Sequence, residues 1–259
     1  MKKILAPILL IALLFAGCGV DNDDNIAATV SQPVSVSFKL ATSFDDIEIN
    51  DSNFANLQLT NANGEIISID RIRYMISKVE LINQDTNVSY TMKDYNLLDI
   101  SDNSTYTFNS EIQIPNGDYK LKLVWGFNET DNVDGAYADL NLASWNWPQG
   151  LGGGYHFLQF DGKYNINTSP MPFNFHNGTA KNANGDFEQN FVTFSFDDMI
   201  TINGNSQIEI KTNIAELFRN PNTWDLNVLD TPLMPNYMAQ KMMQQNVATV
   251  FNVGAITPQ

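Results

Sequence analysis

The sequence predicts an all-β fold, an immunoglobulin-like β-sandwich with a short helix and a C-terminal helix. First, roughly nine or ten short runs alternate apolar and polar residues and are separated by turn signals. Second, the chain of 259 residues contains 33 asparagines, which favour turns over the interiors of helices and strands. Third, helical spacing of apolar residues occurs in only two segments. A single β domain of this length is common.

The strands are predicted from period-two alternation, beginning with Val34, Val36, Phe38 and Leu40. In chain order, the predicted strands are residues 34–40, 57–59, 66–67, 71–82, 97–100, 111–114, 119–125, 155–160, 191–196 and 206–211. The apolar phase of the long run 71–82 changes near Ser77, which predicts a bulge or a bend between sheets.

Two Asn-Gly pairs are tight-turn signals. The first, at 63–64, precedes the run 66–67. The second, at 116–117, predicts a hairpin that joins residues 111–114 to residues 119–125.

Helix is predicted in two places. Asn213 followed three residues later by Glu216 has the spacing of a helix N-cap and its N3 partner, which predicts a short helix over residues 214–218. Residues 235–250 carry apolar side chains at helical spacing and form the longer predicted helix. Its methionines are better explained by packing than by copper binding, because flexible thioethers commonly fill gaps in cores.

The N-terminus has the pattern of a secretory signal. Lys2 and Lys3 precede an apolar stretch over residues 4–15, which is too short to span a bilayer. The sequence LFAGC that ends at Cys18 resembles the lipobox of bacterial lipoproteins, in which the cysteine is acylated and cleavage follows Gly17. The resemblance implies a lipoprotein signal peptide at residues 1–17 and a lipid anchor on Cys18, the chain's one cysteine.

The rest of the chain divides into a tether and one domain. Residues 18–31 show no periodicity and are predicted to be a flexible acidic tether. The acidic run directly after Cys18 looks like the export signals of Bacteroidetes surface lipoproteins, and it also fits a plain polar tether. Residues 32–259 are predicted to form a single domain. We therefore expect an outer-membrane lipoprotein that faces the periplasm or the cell surface.

Composition excludes several functional classes. The formal charge is −15, or −17 once residues 1–17 are removed, and no cluster of lysine and arginine is present for nucleic-acid binding. One cysteine cannot form a disulfide within the chain. Nucleophile motifs such as G-x-S-x-G are missing, and the glycine run 152–154 leads into a β run rather than a phosphate-binding helix. We therefore expect no enzymatic activity.

The two histidines are the candidate chemical site. His156 and His176 lie twenty positions apart in aromatic-rich runs, a separation that suits two neighbouring strands. Strand alternation places His156 on the same side as Leu158. Two imidazoles that meet across a sheet suit a metal such as copper, although they underfill most sites. The alternative is that each histidine is hydrogen-bonded within its own local structure. Candidates for a third donor are Met171, Trp145 and Trp147.

Three motifs stand out in the aromatic-rich part of the chain: WNWP at 145–148, GGGYHFLQFDG at 152–162 and FNFHNG at 173–178. Together they resemble the MbnP-like family, whose members are β-sandwich proteins of methanobactin- and copper-associated gene clusters. The resemblance implies copper binding. It also implies, for some members, a tryptophan oxidised to kynurenine by a partner dihaem peroxidase-like enzyme. Trp145 and Trp147 are the candidates for that oxidation on motif position.

Some residues of the family's motifs have a match in this chain and others do not. His176 matches the family's histidine in the F-H-x-G element. His156 stands where Lys is frequent in the methanotroph-type motif. Many members have a further histidine after the strand end that here reads Gly126 to Asn128, and Glu129 occupies that position.

Two functions are therefore expected from the sequence. The first is a membrane-anchored copper-binding lipoprotein that acts in copper handling or acquisition, with His156, His176 and Met171 as ligands and a copper uptake system or dihaem enzyme as partner. The second is a surface adhesion or glycan-binding module, in which exposed Trp145, Trp147 and Tyr137 stack on sugar rings.

Overall fold

Two β-sheets face each other and bury the apolar side of their strands between them. The computed structural model describes residues 32–259. The expectations for the signal peptide at 1–17, the lipidated Cys18 and the tether at 18–31 fall outside these residues. The all-β sandwich that the sequence predicts is confirmed.

Fifteen strands make up most of the ordered structure of the described residues. In chain order they are β1 (Val36–Phe44), β2 (Ile47–Ile49), β3 (Leu59–Thr60), β4 (Ile66–Asn83), β5 (Ser89–Asp99), β6 (Thr107–Asn109), β7 (Gly117–Trp125), β8 (Leu158–Tyr164), β9 (Met171–Asn177), β10 (Ala180–Lys181), β11 (Phe187–Glu188), β12 (Val192–Ser195), β13 (Ile200–Ile202), β14 (Ser206–Asn213) and β15 (Phe251–Pro258).

Helices are few and short. The two α-helices are α1 (Ala138–Leu142) and α2 (Tyr237–Val247), and four 3-10 turns cover Phe54–Asn56, Asn103–Thr105, Gln149–Leu151 and Ile214–Phe218. The last of these is the predicted short helix, capped as expected by the Asn213 side chain, which accepts from the amide of Ala215. Within residues 32–259, none of the helices has the length and apolar character needed to cross a membrane.

The smaller sheet has five strands in the order β15-β14-β1-β2, with β6 also paired to β1. Strands β1 and β14 run parallel, and the other pairs in this sheet are antiparallel. The larger sheet has eight strands, with the order β12-β7-β4-β8-β9 along its main path. Strands β10 and β11 form a separate two-stranded ribbon.

A buried tyrosine connects the two sheets. Tyr74 on β4 is fully buried, and its hydroxyl is 3.2 Å from the Thr42 hydroxyl on β1 and 2.9 Å from the Thr212 hydroxyl on β14. The Tyr74 ring stacks on Trp125 of β7 and meets the edge of Phe251 on β15. Aromatic packing and a polar link therefore hold the sheets together in one core.

The long strand β4 is bulged where its apolar phase changes, as the sequence predicts. Its register shifts between Ser77 and Glu80 against β7, and Lys78 adopts a positive φ of 47°. The first half of β4 pairs with β8 and the second half with β7. Strand β4 also pairs with β3 and β5, so this one strand has four hydrogen-bonded neighbours in the sheet.

Three local expectations differ from the structure. Residues 111–114 form no strand, and the predicted hairpin does not form, because Ile114 instead makes an isolated bridge to Val34. Helix α2 is shorter than predicted, and β15 follows it and pairs with β14. Strand β15 has only Phe251 buried, so its sequence shows no alternation of apolar and polar residues from which a strand could be predicted.

Candidate metal centre

A row of polar side chains lies on one face of the larger sheet, where β4, β8 and β9 run side by side. Residues paired directly across antiparallel strands project to the same face. The opposite face of β8 carries Leu158 and Phe160, which are buried in the core. The polar rows, read across the three strands, are Arg73–Gln159–His176 and Arg71–Asp161–Asn174.

His156 joins this polar face although simple alternation places it on the other one. The expectation that it shares the side of Leu158 is wrong. The chain bends at Phe157, just before β8 begins, so the strict alternation of strand residues does not extend back to His156. The centroids of the His156 and His176 rings are 5.2 Å apart and nearly perpendicular, at 85°. The imidazoles therefore meet as expected, but His156 lies two residues before β8 rather than on that strand.

Backbone pairing places both motif tryptophans against His156. The amide of His156 donates to the Trp145 carbonyl at 2.9 Å, and the amide of Trp147 donates to the Gly154 carbonyl at 2.8 Å. The ring centroids of Trp145 and Trp147 lie 5.5 Å and 4.8 Å from that of His156. Both indoles are buried, with at most 1% of their surface exposed.

Asp161 fixes the ring of His176. Its Oδ1 is 2.8 Å from His176 Nε2 and accepts from the Asn174 side-chain amide at 2.6 Å. Its Oδ2 accepts from Arg71 through Nε at 2.6 Å and Nη2 at 2.5 Å. Burial acts to raise the pKa of Asp161, but the hydrogen bond and charge of His176, the Asn174 amide and the Arg71 charge outweigh it and lower that pKa to about 2.

His156 is held neutral. Burial, followed by the nearby positive charges that His176, Arg71 and Arg73 can carry, lowers the pKa of His156 to about 3. A neutral imidazole retains one nitrogen lone pair, which is the form that binds metals. The low pKa therefore keeps this lone pair free of protons throughout the physiological range.

Three buried ring nitrogens at the site have no hydrogen-bond partner among the described residues. They are Nδ1 of His156, Nδ1 of His176 and Nε1 of Trp145. A buried polar atom without a partner costs roughly 1–3 kcal/mol, so a cluster of them at one place calls for an explanation. Two of the three are imidazole nitrogens, which are ligands for soft and borderline metals. This donor set fits copper.

Arg73 packs against Trp145 at the side of the site. The Arg73 guanidinium lies 5.0 Å from the Trp145 ring centroid, donates from Nη2 to the Ala143 carbonyl at 3.0 Å and pairs with Asp99. Burial lowers the pKa of Arg73, while the charge of Asp99 opposes that shift.

Helix α2 holds the backbone beside His176. The buried Gln240 amide donates from Nε2 to the His176 carbonyl at 2.7 Å and accepts at Oε1 from the Asn177 side chain and the Gly178 amide. Gly178 itself is required by close packing, because a Cβ there would lie 2.6 Å from the ring of Trp147.

The structure does not bring every predicted residue to the site. Met171 pairs with Tyr164 at the far end of β9, about 17 Å along the strand from His176, and is 48% exposed. The expectation that it completes the ligand set is therefore wrong. Glu129, in the position of a family histidine, is exposed.

The expectation of an exposed aromatic platform is also wrong. Trp145 and Trp147 are buried, and the half-buried Tyr137 stacks on Phe127 and meets the edge of Tyr155. Their faces are taken by protein, so they cannot stack on a sugar ring without rearrangement. This removes the basis of the glycan-binding alternative.

In residues 32–259, no group of three or more His, Cys, Asp and Glu side chains is arranged to hold a metal ion. A copper site here would consist of two imidazoles and a donor of another kind. Sequence reasoning missed Asp161, Arg71 and Gln240 as parts of the site. The one sequence signal for Asp161 was that it is a charged residue directly after the aromatic-rich run 155–160.

Comparison with known proteins agrees with the motifs. The sequence model of the MbnP family matches residues 31–239, which is most of the chain. The solved structure of MbnP from Methylosinus trichosporium is similar with a TM-score of 0.54 and 16% sequence identity, over 87% of this chain and 99% of that chain. This likeness shows a shared fold. No curated protein matches the chain.

Proposed function

Because the chain belongs to the MbnP family, which is methanobactin- and copper-associated, we propose that it binds copper through His156 and His176. One observation carries the proposal: the two imidazoles lie with ring centroids 5.2 Å apart, and each has a buried Nδ1 without a partner in residues 32–259. Bound there, cuprous ion would be cargo for handling or acquisition. The role is binding rather than catalysis.

The surroundings of the two histidines support the cuprous form. Cu(I) accepts imidazole ligands at low coordination number and is protected by apolar walls. Trp145 and Trp147 form such walls beside His156. Imidazole nitrogens need no deprotonation when they are already neutral, and the low pKa of His156 meets this condition.

A tryptophan-derived donor would complete the site. Trp145 and Trp147 both contact the His156 ring, and Trp145 Nε1 has no partner among the described residues. We propose that a dihaem peroxidase-like enzyme oxidises one of them to kynurenine with peroxide as the oxidant. Two peroxide molecules are reduced to water as the C2–C3 bond of the indole is cleaved to give N-formylkynurenine, and hydrolysis then releases formate. Intact-mass measurement and peptide mapping of protein from the native host would show which indole is changed, and an unmodified mass for both would contradict this part.

The copper proposal is tested by competition with a chromogenic cuprous chelator. The lipid-free wild-type protein should withdraw a stoichiometric amount of Cu(I), and His156→Ala and His176→Ala should each lose this capture. Met171→Ala is the matched control, since the exposed Met171 lies far along β9 and should leave capture unchanged. Equal and weak capture by wild type and both histidine variants would refute copper binding.

We further propose that the protein is exported and anchored through Cys18 to the outer membrane, on its periplasmic or surface face. The signal pattern before Cys18 and the acidic run after it support this. Metabolic labelling with a fatty-acid analogue should mark the wild-type protein and leave Cys18→Ser unlabelled. Protease treatment of intact cells then distinguishes the two membrane faces.

A further inference from the structure

The Asp161 carboxylate determines which nitrogen of His176 is available to a ligand. Asp161 Oδ1 lies 2.8 Å from His176 Nε2, and a carboxylate oxygen at this distance requires a hydrogen on that nitrogen. A neutral imidazole has one N–H, so its other nitrogen, Nδ1, then carries the lone pair. Nδ1 is the buried atom of His176 that has no partner among the described residues.

Asp161 is itself held in one orientation. Both Arg71 contacts go to Oδ2, whereas Asn174 and His176 share Oδ1. The carboxylate therefore cannot turn its other oxygen toward the imidazole without breaking the Arg71 pair. All four residues are anchored by strand register. Arg71 on β4 pairs with Asp161 on β8, Asp161 pairs with Asn174 on β9, and His176 on β9 pairs with Gln159 on β8.

We propose that Asp161 is a positioning residue that holds His176 as the Nε2–H tautomer and so presents Nδ1 as the copper-binding atom. The choice of Nδ1 as ligand rests on the proposed function, whereas the tautomer is a property of the metal-free protein. Outer-shell carboxylates act in this way at many metal sites, by orienting the ring and raising its basicity.

The substitution Asp161→Asn should invert the tautomer. Arg71 offers two charged donors at the Oδ2 position, which outweigh the one neutral donor of Asn174 at Oδ1. The amide oxygen of the new side chain would therefore face Arg71 and its NH2 would face His176, with the Asn174 amide turned to accept. An NH2 group requires an acceptor, so Nε2 would lose its hydrogen and Nδ1 would gain it. The lone pair would then be removed from the copper-binding position, while the side-chain shape is almost unchanged.

The first test is long-range 1H–15N NMR of the metal-free wild-type protein, which distinguishes protonated from bare imidazole nitrogens. His176 should show a protonated Nε2 and a bare Nδ1. A protonated Nδ1 with a bare Nε2 would overturn the proposal, and this measurement needs no variant.

The second test compares variants in the same spectra and in cuprous competition. Asp161→Asn should invert the tautomer and weaken copper binding by about 10- to 100-fold. Asn174→Ala is the control, because it removes one contact to Asp161 Oδ1 and leaves the Arg71 pair and the His176 contact in place. It should keep the wild-type tautomer. An unchanged tautomer in a folded Asp161→Asn protein would refute the role of Asp161.

The outcomes separate this proposal from copper binding itself. If wild type has the expected tautomer but captures no Cu(I), the positioning by Asp161 stands and the proposed function fails. If wild type captures Cu(I) while His176 carries its hydrogen on Nδ1 in the metal-free protein, the function stands and the positioning proposal fails.

Discussion

Replacing His156 with phenylalanine should remove a specific part of the acid sensitivity of the metal-free domain. His156 is 6% exposed, and burial, followed by the nearby His176, Arg71 and Arg73, lowers its pKa from 6.5 to about 3. The unfolded chain binds a proton at His156 below about pH 6.5, whereas the folded protein does not until about pH 3. Folding stability is therefore lost as the pH falls through this window.

The size of the effect follows from the pKa difference. Between about pH 7 and about pH 5, the unfolded imidazole changes from mostly neutral to almost fully protonated, while the folded one stays neutral. This costs the wild-type protein about 2 kcal/mol of unfolding free energy at that site. Phenylalanine at position 156 cannot take up a proton, so the variant should lose about 2 kcal/mol less over the same range. Near neutral pH it should be about as stable as wild type, since the buried Nδ1 has no partner to lose in the part of the chain that the structure describes.

The assay is urea denaturation of the lipid-free, metal-free protein at a series of pH values. Unfolding is monitored through the fluorescence of the four buried tryptophans. Ile208→Val in the smaller sheet is the control, because it lowers stability without changing a titrating group. Its unfolding free energy should follow pH with the wild-type slope. Parallel curves for wild type and His156→Phe would refute the assignment of His156 as a buried neutral imidazole.

Three further substitutions test the packing around the site and between the sheets. Gly178→Ala should destabilise the fold by about 1–3 kcal/mol, because its Cβ would lie 2.6 Å from the Trp147 ring, and an unchanged urea midpoint would contradict this contact. Tyr74→Phe should cost about 1–2 kcal/mol in the same assay by removing the hydroxyl that joins the sheets; no loss would mean that this link is not formed. Gln240→Leu should destabilise by about 2–3 kcal/mol and weaken Cu(I) capture, while Gln244→Leu on the same helix should leave capture at the wild-type level. Equal capture by these two helix variants would contradict a role for α2 in supporting the site.

The sequence was sufficient to predict the structural features that depend on residues close together in the chain. Period-two alternation located most of the long strands, including β1, β4, β7 and β14, because side chains of a strand must alternate between faces whatever the rest of the protein does. The change in the apolar phase near Ser77 likewise predicted the bulge in β4. Where burial does not alternate, as in β15, the same logic gave no signal.

The composition and motifs also bounded the candidate site. With two histidines in the whole chain, a pair of imidazoles was the one pairing available, and their spacing suited adjacent strands. The burial of Trp145 and Trp147 was not predictable, because an aromatic pair on a Gly- and Pro-rich segment fits an exposed loop equally well. Their position depends on backbone pairing with Gly154 and His156.

By itself, the sequence determined the sandwich class, the histidine pair and the family to which the chain belongs. All three are properties of local pattern and residue identity. Tertiary structure alone decided which face His156 occupies and that Asp161 meets His176. These facts depend on strand register and on the bend at Phe157. A shift of one residue exchanges the two faces of a strand, and register is set by packing between distant segments of the chain.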